Sequence, residues 1–272
     1  MGKWIKLFGL WLISCLSQPL IAQQTSEMDY PVIVGTMVGV GGYNLMDTYL
    51  TPGIESRYTG WGVRLRDERM RQLRRTEGRV TRQQRIDLQF AKTQNGAGSA
   101  TDYGFLLNYD LGYLYQIPFA SPVTWLAGAS GELMGGCIYN TRNTNNPVSA
   151  KAQISLNLTT QWLYRLQIGS YPLLLRYQFD LPTIGVGFAP HYNQSYYEMF
   201  GLGHHTVMVH FQSFHNRFVM RHCFTVDLPV GSWVMRAGFL HDHYATDINS
   251  IRSHILSNTF LLGVVKKFVL IH

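Results

Sequence analysis

The stretch from Asp102 to Gln116 reads DYGFLLNYDLGYLYQ, and its side chains alternate in character. Successive residues of a β-strand point to opposite faces of a sheet. One face of this strand would carry Tyr103, Phe105, Leu107, Tyr109, Leu111, Tyr113 and Tyr115, and the other would include Asp102, Asn108, Asp110 and Gln116. Aromatic residues near strand ends and ionisable groups in mid-strand favour a lipid-facing apolar row and a polar interior.

The same alternation recurs along the chain, for example in Arg85–Thr93, Lys151–Arg165 and Tyr171–Leu181. The predicted strands lie near Pro31–Gly42, Ser56–Glu68, Thr81–Thr93, Thr101–Gln116, Val123–Ile138, Ala150–Leu166, Tyr171–Leu181, His204–Asp227, Trp233–Tyr244 and His254–Ile271. The pattern therefore predicts an all-β protein, a single antiparallel up-and-down transmembrane β-barrel of about ten strands. A soluble β-sandwich shares the period of two and is the alternative.

The connections support a barrel because short and long ones alternate. Short turns are expected at Ile117–Pro122, Gln167–Tyr171 and Leu228–Ser232, and longer links at Gln94–Ala100, Asn140–Ser149, Pro182–Gly203 and Ala245–Ser253. Outer-membrane barrels have short periplasmic turns and longer outer loops.

Two places in the sequence fit the barrel pattern less well. Arg69–Val80 is a long, basic connection for the periplasmic side. The phase of alternation changes at Ser213–His215, which indicates a bulge or an extra hairpin that would raise the count to twelve.

The N-terminus has the features of a secretory signal peptide. Basic Lys3 and Lys6 precede an apolar run from Leu7 to Leu20, and a small residue, Ala22, comes before Gln23. We expect residues 1–22 to be a signal peptide and 23–272 to be an outer-membrane barrel. A retained anchor helix and lipidation at Cys15 are the alternatives. The formal charge of +7 is not clustered enough to indicate nucleic-acid binding.

The mid-sized barrel that follows Ala22-Gln23 resembles outer-membrane proteins of Bacteroidota. The motif YTGWG at Tyr58–Gly62, followed by Arg64, Glu68 and Arg69, resembles an uncharacterised barrel family of that group, domain-of-unknown-function family 3316. The resemblance implies an outer-membrane barrel over most of Val32–Ile271 and supplies no catalytic residue. Many such barrels end on an aromatic residue, whereas this chain ends on His272.

Charged residues at mid-strand positions of the polar face are expected to line the interior. A barrel of about ten strands is mostly filled by side chains, so these charges should form buried ion pairs rather than a wide pore. The predicted lumen charge network consists of Arg85, Asp87, Asp110, Arg176, Asp180, Arg221 and Arg236.

Histidine supplies the candidate metal ligands. All ten histidines follow Pro190, and His204, His241 and His243 would converge near the outer rim. Imidazole is a common ligand for zinc, copper and nickel, although histidines at a membrane interface also occur without a metal. Ser213 and His215 could suggest a serine hydrolase, but no known motif surrounds them.

The sequence predicts no cofactor, and the expected partners are outer-membrane lipid, lipopolysaccharide and the barrel-insertion machinery. Three function hypotheses follow: a non-catalytic barrel that is structural or binds a ligand or partner through its outer loops, a membrane-embedded lipid hydrolase, and a narrow anion-preferring channel. Cys137 and Cys223 should be free thiols, with Cys137 near the outer rim and Cys223 near the periplasmic end.

Overall fold

A computed structural model describes residues 31–51, 57–192, 194–203, 208–231 and 233–269. It contains eleven β-strands, which are β1 (Pro31–Asp47), β2 (Tyr58–Gln72), β3 (Val80–Gln94), β4 (Thr101–Ile117), β5 (Val123–Asn140), β6 (Val148–Ile168), β7 (Tyr171–Phe188), β8 (Val209–Gln212), β9 (Arg217–Val230), β10 (Trp233–Ile248) and β11 (Ile251–Val269). The proposed signal peptide, residues 1–22, lies outside the described residues.

The strands form one closed antiparallel barrel. Neighbours in sequence pair in order from β1 to β8 and from β9 to β11, and β1 pairs with β11 to close the ring. The short β8 and the longer β9 both pair with β7 in the same direction, so together they occupy one barrel position. The barrel therefore has ten strand positions and one extra short strand, which confirms the predicted all-β barrel of about ten strands.

The phase change near Ser213 comes from a four-residue turn between β8 and β9. Across from β7, Gly185 pairs with Gln212 whereas Asp180 pairs with Arg221, so residues 213–216 are inserted without partners on β7. The insertion resets the alternation, and Phe211 and Phe218 both point outward. Of the two explanations that the sequence left open, the bulge-like interruption is therefore right and the extra hairpin is wrong.

The two faces of each strand differ as the alternation predicts. Leu107 on β4 is 40% exposed on the outer surface, whereas the next residue, Asn108, is 2% exposed inside the barrel. Valine, leucine and aromatic side chains cover the outside, and polar or charged side chains fill much of the inside. An exposed apolar belt around a closed barrel is the surface expected of a protein embedded in lipid.

No helix within the described ranges is long and apolar enough to span a membrane.

The two ends of the barrel differ in their connections. The turn end, where β1 begins and β11 ends, carries the connections at residues 73–79, 118–122, 169–170 and 231–232. The opposite loop end carries the connections from β1 to β2, β3 to β4, β5 to β6, β7 to β8, β8 to β9 and β10 to β11.

The bounds of three predicted connections were wrong. The expected long link Ala245–Ser253 is a two-residue hairpin turn, since Asn249 and Ser250 both have positive φ, the conformation of a tight turn that matches strand twist. The basic connection Arg69–Val80 is mostly strand and leaves only residues 73–79 as a turn, and β7 continues through Phe188 into the predicted Pro182–Gly203 loop.

Apolar residues fill the barrel near both ends. At the loop end, inward side chains form a cluster of Tyr43, Leu45, Tyr49, Leu50, Ala91, Leu106, Ile138, Ile251 and Ile255. A smaller cluster at the turn end consists of Met70, Leu114 and Leu126, with Ile33 and Leu163 packed against it. The charged part of the interior lies between these two clusters.

Both described cysteines are free thiols, which confirms that prediction. Cys137 lies near the loop end of β5, opposite Phe105. Cys223 is not near the turn end, as was expected, but in the middle of β9, opposite Gln178 and Leu240. The difference arises because β9 begins at Arg217 and continues to Val230.

Candidate functional site

Ionisable side chains are concentrated inside the barrel and nearly balance in charge. Among the described residues, eight basic and nine acidic side chains are buried. The basic ones are Arg64, Arg66, Arg85, Lys151, Arg176, Arg217, Arg221 and Arg236, and the acidic ones are Asp47, Glu68, Asp87, Asp102, Asp110, Glu132, Asp180, Asp227 and Asp242. Buried charges are costly unless they are paired and hydrogen-bonded, so their partners decide what the interior can do.

Glu68 is the centre of the network on the side of the turn end. Its carboxylate accepts hydrogen bonds from both terminal nitrogens of Arg176, with Nη1 at 2.5 Å. Arg236 Nη1 donates to it at 3.1 Å and Gln83 Nε2 at 2.6 Å. Arg236 also forms a two-pronged pair with Asp227, at 2.5 and 2.7 Å. These contacts join β2, β3, β7, β9 and β10 across the lumen.

Arg85 and Arg221 organise the middle of the lumen. Arg85 donates to Asp180 at 2.5 Å and to Asp110 at 3.0 Å. Arg221 donates to Asp242 at 2.7 Å and to Glu132 at 3.3 Å, and it lies 3.8 Å from Asp110. Each guanidinium therefore neutralises two or more carboxylates from different strands.

The network is continuous around the lumen. Arg64 pairs with Asp242 and lies 3.3 Å from Asp87, which also accepts from Arg66 at 3.1 Å. On the opposite side, Gln178 donates to Asp180 at 3.0 Å, and Gln83 donates to Gln178 at 2.8 Å. A single chain of contacts thus runs from Arg66 through the central arginines to the Glu68 cluster.

All seven residues that the sequence assigned to the lumen network lie inside the barrel with ionic partners. They are Arg85, Asp87, Asp110, Arg176, Asp180, Arg221 and Arg236. Sequence reasoning missed Glu68, Glu132 and Asp242. Each lies at an inward position of the alternation, and that parity could have identified them.

The loop end is closed by the turn that follows β1. Tyr49 and Leu50 of this turn are buried in the barrel mouth. The Tyr49 hydroxyl donates to the Gln194 carbonyl at 2.8 Å, and Asn143 Nδ2 donates to the Leu50 carbonyl at 2.9 Å. Burial raises the pKa of the Tyr49 phenol. We call residues 47–51 the loop-end cap.

Asp47 fixes the cap to the barrel wall. Its Oδ2 accepts from Lys151 Nζ at 2.7 Å, from Ser149 Oγ at 2.8 Å and from Ser253 Oγ at 3.3 Å. Its Oδ1 accepts from the Tyr49 amide at 3.0 Å. The cap is thus fixed to β6 and β11 by a buried ion pair and hydroxyl groups.

Two of the three predicted metal ligands, His241 and His243, lie on the outer face of the barrel. Asp242 points inward, so His241 and His243 on either side of it point outward. His241 Nδ1 lies 2.8 Å from Asn258 Oδ1, and the ring lies 6.0 Å from that of His222. No group of three or more potential metal ligands occurs among residues with described positions. His204 lies outside those residues, so the three-histidine metal site stays a prediction.

Ser213 and His215 meet in the turn between β8 and β9. Ser213 Oγ lies 2.6 Å from His215 Nδ1, and both residues are accessible. Asn216 Oδ1 accepts from the Ser213 amide, so it is engaged with the backbone rather than with the imidazole. Beside them is a rim pocket of about 440 Å³ with Arg57, Phe214, Arg252 and His254 in its lining.

The closed antiparallel ring, the exposed apolar exterior and the charged interior define an outer-membrane-type β-barrel. The family model described as "protein of unknown function (DUF3316)" matches residues 6–272, and the chain belongs to that family. No curated protein sequence gives a significant match.

Solved structures with a similar architecture are outer-membrane barrels. The outer-membrane protease OmpT of Escherichia coli has a TM-score of 0.47 at 6% identity, covering 90% of this chain and 99% of its own. The transport unit of the Escherichia coli autotransporter AIDA-I has 0.42 at 8% identity, covering 93% of each chain. The COG4313 outer-membrane channel of Pseudomonas putida F1 has 0.35 at 10% identity, covering 92% and 100%. At these identities the likeness concerns the fold alone.

Proposed function

We propose that this protein is a closed, non-conducting outer-membrane barrel that anchors a binding surface at its loop end. The observation that carries the proposal is the filled interior. An apolar cluster lies near each end, and a continuous network of paired charges lies between them. Two interior cavities measure only about 30 Å³ each, room for one or two water molecules.

The charge balance favours a closed barrel over an anion-preferring channel. A selective anion path needs an uncompensated positive lining, whereas the buried lumen charges in the described residues are eight basic and nine acidic. The loop-end cap also lies across the mouth that a solute would enter, held there by the Asp47–Lys151 pair.

The surface offered at the loop end is aromatic. In the connection between β7 and β8, Tyr197 and Phe200 are 70% and 66% exposed on a short helical segment, Tyr197–Gly201. Exposed apolar groups beyond the membrane belt are characteristic of interaction sites. We place the loop end outside the cell and the turn end in the periplasm, since outer-membrane barrels have short periplasmic turns. We also propose that residues 1–22 direct export as a signal peptide, which is cleaved after Ala22.

Conductance measurements test the closed lumen. The full-length mature protein, reconstituted into planar bilayers, should give no stepwise current at moderate voltage. Asp47→Ala loosens the cap but leaves the charge network below it in place, so it should also give no steady current, and Glu77→Ala at an exposed turn-end position serves as the matched carboxylate control. A steady pore in the wild type would contradict the proposal.

Surface labelling tests the orientation. In a Cys137→Ser background, a cysteine at Asn145 in the β5–β6 loop should react with a membrane-impermeant maleimide on intact cells. A cysteine at Arg75 in the β2–β3 turn should react only after the outer membrane is permeabilised. The reverse pattern would place the aromatic surface in the periplasm.

A second candidate, an ester hydrolase acting on lipids at the membrane boundary, is favoured by the Ser213–His215 contact of 2.6 Å beside the rim pocket. In a hydrolytic triad a histidine ring nitrogen takes the proton of the serine hydroxyl, and here the nitrogen in contact with Ser213 is Nδ1. The assay measures release of fatty acid from mixed micelles. Activity in the wild type that is lost in Ser213→Ala and kept in Ser195→Ala would establish this function. Equal rates for Ser213→Ala and wild type would eliminate it.

A further inference from the structure

Two arginines on the outer face lie directly opposite each other near the turn end. Arg71 of β2 and Arg82 of β3 are cross-strand partners, and both point out of the barrel by the alternation of their strands. Directly opposed residues have Cβ atoms about 5 Å apart, and like charges in such pairs are destabilising. A negative group bound between the two guanidinium groups would relieve this repulsion.

The nearby carboxylates already have partners. Asp67 accepts from Arg69 at 3.3 Å and from the Thr36 hydroxyl at 2.7 Å, and Glu77 accepts from Arg79 at 3.5 Å. Within the described ranges, neither Arg71 nor Arg82 has an ion pair or a hydrogen bond from its side chain. Exposed Arg74 and Arg75 in the following turn add further positive charge.

The position of the pair coincides with the edge of the lipid belt. Outward residues of β3 run from Lys92 through Phe90, Leu88 and Ile86 to Gln84 and Arg82. Ten residues at about 3.3 Å each, on a strand tilted by about 40°, rise roughly 25 Å. An outer-membrane barrel has an apolar band about 25 Å tall, so Lys92 and Arg82 lie in its two boundary regions. The outward ion pair between Asp67 and Arg69 of β2 lies in the same boundary region as Arg82.

The neighbours of the pair suit a lipid headgroup. Tyr113 of β4 is the cross-strand partner of Arg82 and is 51% exposed on the same face, and Val32 of β1 is the partner of Arg71. A guanidinium fork matches the geometry of a phosphate. Tyrosine at an interface provides a ring for the acyl region and a hydroxyl for the headgroup.

We propose that Arg71, Arg82 and Tyr113 bind the phosphate of an anionic phospholipid in the leaflet at the turn end. We call this the arginine-pair site. Its placement in the periplasmic leaflet rests on the orientation given under the proposed function, whereas the binding itself does not. The bound phosphate would offset the repulsion between the two guanidinium groups, and its acyl chains would continue along the apolar belt.

Lipid titration of the full-length mature protein tests the proposal. Native mass spectrometry in detergent would follow binding of phosphatidylglycerol and of phosphatidylcholine with the same acyl chains. The wild type should retain phosphatidylglycerol at lower concentration. Arg71→Gln/Arg82→Gln should weaken that binding about 10-fold or more, because each juxtamembrane arginine adds to attraction for an anionic headgroup. The matched control, Lys92→Gln/Arg142→Gln, removes two cations at the loop end and should bind like wild type.

Each other outcome overturns the assignment. Equal binding of both lipids by the wild type would show that no anionic site exists, and this result does not depend on any variant folding. An equal loss of phosphatidylglycerol binding in the control variant would show that binding depends on the net charge of the protein and not on the arginine-pair site. Competition by soluble glycerol phosphate at similar concentration would indicate a free phosphate site. Arginine-dependent co-sedimentation with purified cell-wall polymer, without lipid selectivity, would indicate a polymer site. None of these outcomes affects the conductance test.

Discussion

Replacing the central carboxylate of the turn-end cluster should destabilise the barrel strongly. Glu68 is 1% exposed and accepts hydrogen bonds from Arg176, Arg236 and Gln83. In Glu68→Gln, Arg236 keeps its pair with Asp227, but Arg176 loses its only carboxylate partner within the described residues. Breaking a buried ion pair by removing one partner costs about 3–5 kcal/mol, and we expect the free energy of unfolding to fall by that amount.

The matched control is an exposed ion pair at the same end of the barrel. Glu77 and Arg79 are 80% and 65% exposed at their side chains. Exposed pairs typically contribute about 0–1 kcal/mol, so Glu77→Gln should leave stability nearly unchanged. Equilibrium unfolding in lipid vesicles, followed by tryptophan fluorescence, measures both variants.

Replacing Glu68 and Arg176 together distinguishes the cost of an unpaired buried charge from the cost of altered side-chain packing. Glu68→Met/Arg176→Met should be less destabilised than Glu68→Gln, because neither residue of the pair is left as a buried charge without its partner. A loss below about 1 kcal/mol in Glu68→Gln would mean that water reaches Arg176. That result would refute the view that the interior is closed.

Three further predictions concern the lipid face, the thiols and the leader. Leu107→Arg should cost about 2–4 kcal/mol in vesicle unfolding, whereas Tyr115→Arg, near the turn end, should cost about 0–1 kcal/mol; equal costs would contradict the assigned membrane depth. Alkylation of the unfolded, non-reduced protein should add two groups, at Cys137 and Cys223, and an intact mass two hydrogens short would reveal a disulfide. N-terminal sequencing of protein from the outer membrane should begin at Gln23, and sequence starting upstream would argue for a retained anchor.

Alternation could be predicted from sequence because it follows from one local fact, the period of two along a strand. It places Leu107 outside and Asn108 inside without knowledge of any partner strand. The same parity would have placed Glu68 and Asp242 inside. The predicted strand ends at Glu68, whereas β2 continues to Gln72. Asp242 lies between the two candidate metal ligands His241 and His243.

Features that depend on pairing between distant strands could not be predicted in this way. The contact between Glu68 and Arg176 joins β2 to β7 across the lumen and requires the closed ring and its register. The loop-end cap likewise depends on Asp47 reaching Lys151, more than a hundred residues away. The sequence predicts a long loop around the turn at Asn249–Ser250 because several residues flanking the turn are polar, although they belong to strands.

A spin-label scan along β3 tests most directly whether the barrel faces lipid and is closed inside. Single cysteines from Thr81 to Gln94 would be introduced into a Cys137→Ser/Cys223→Ser background and labelled in vesicles. Outward labels at 86, 88 and 90 should be accessible to oxygen, and inward labels, such as that at Ala91, should be shielded from both oxygen and a water-soluble nickel reagent. Inward labels that the nickel reagent reaches would show an open lumen, and outward labels that it reaches would show that this face is not in the membrane.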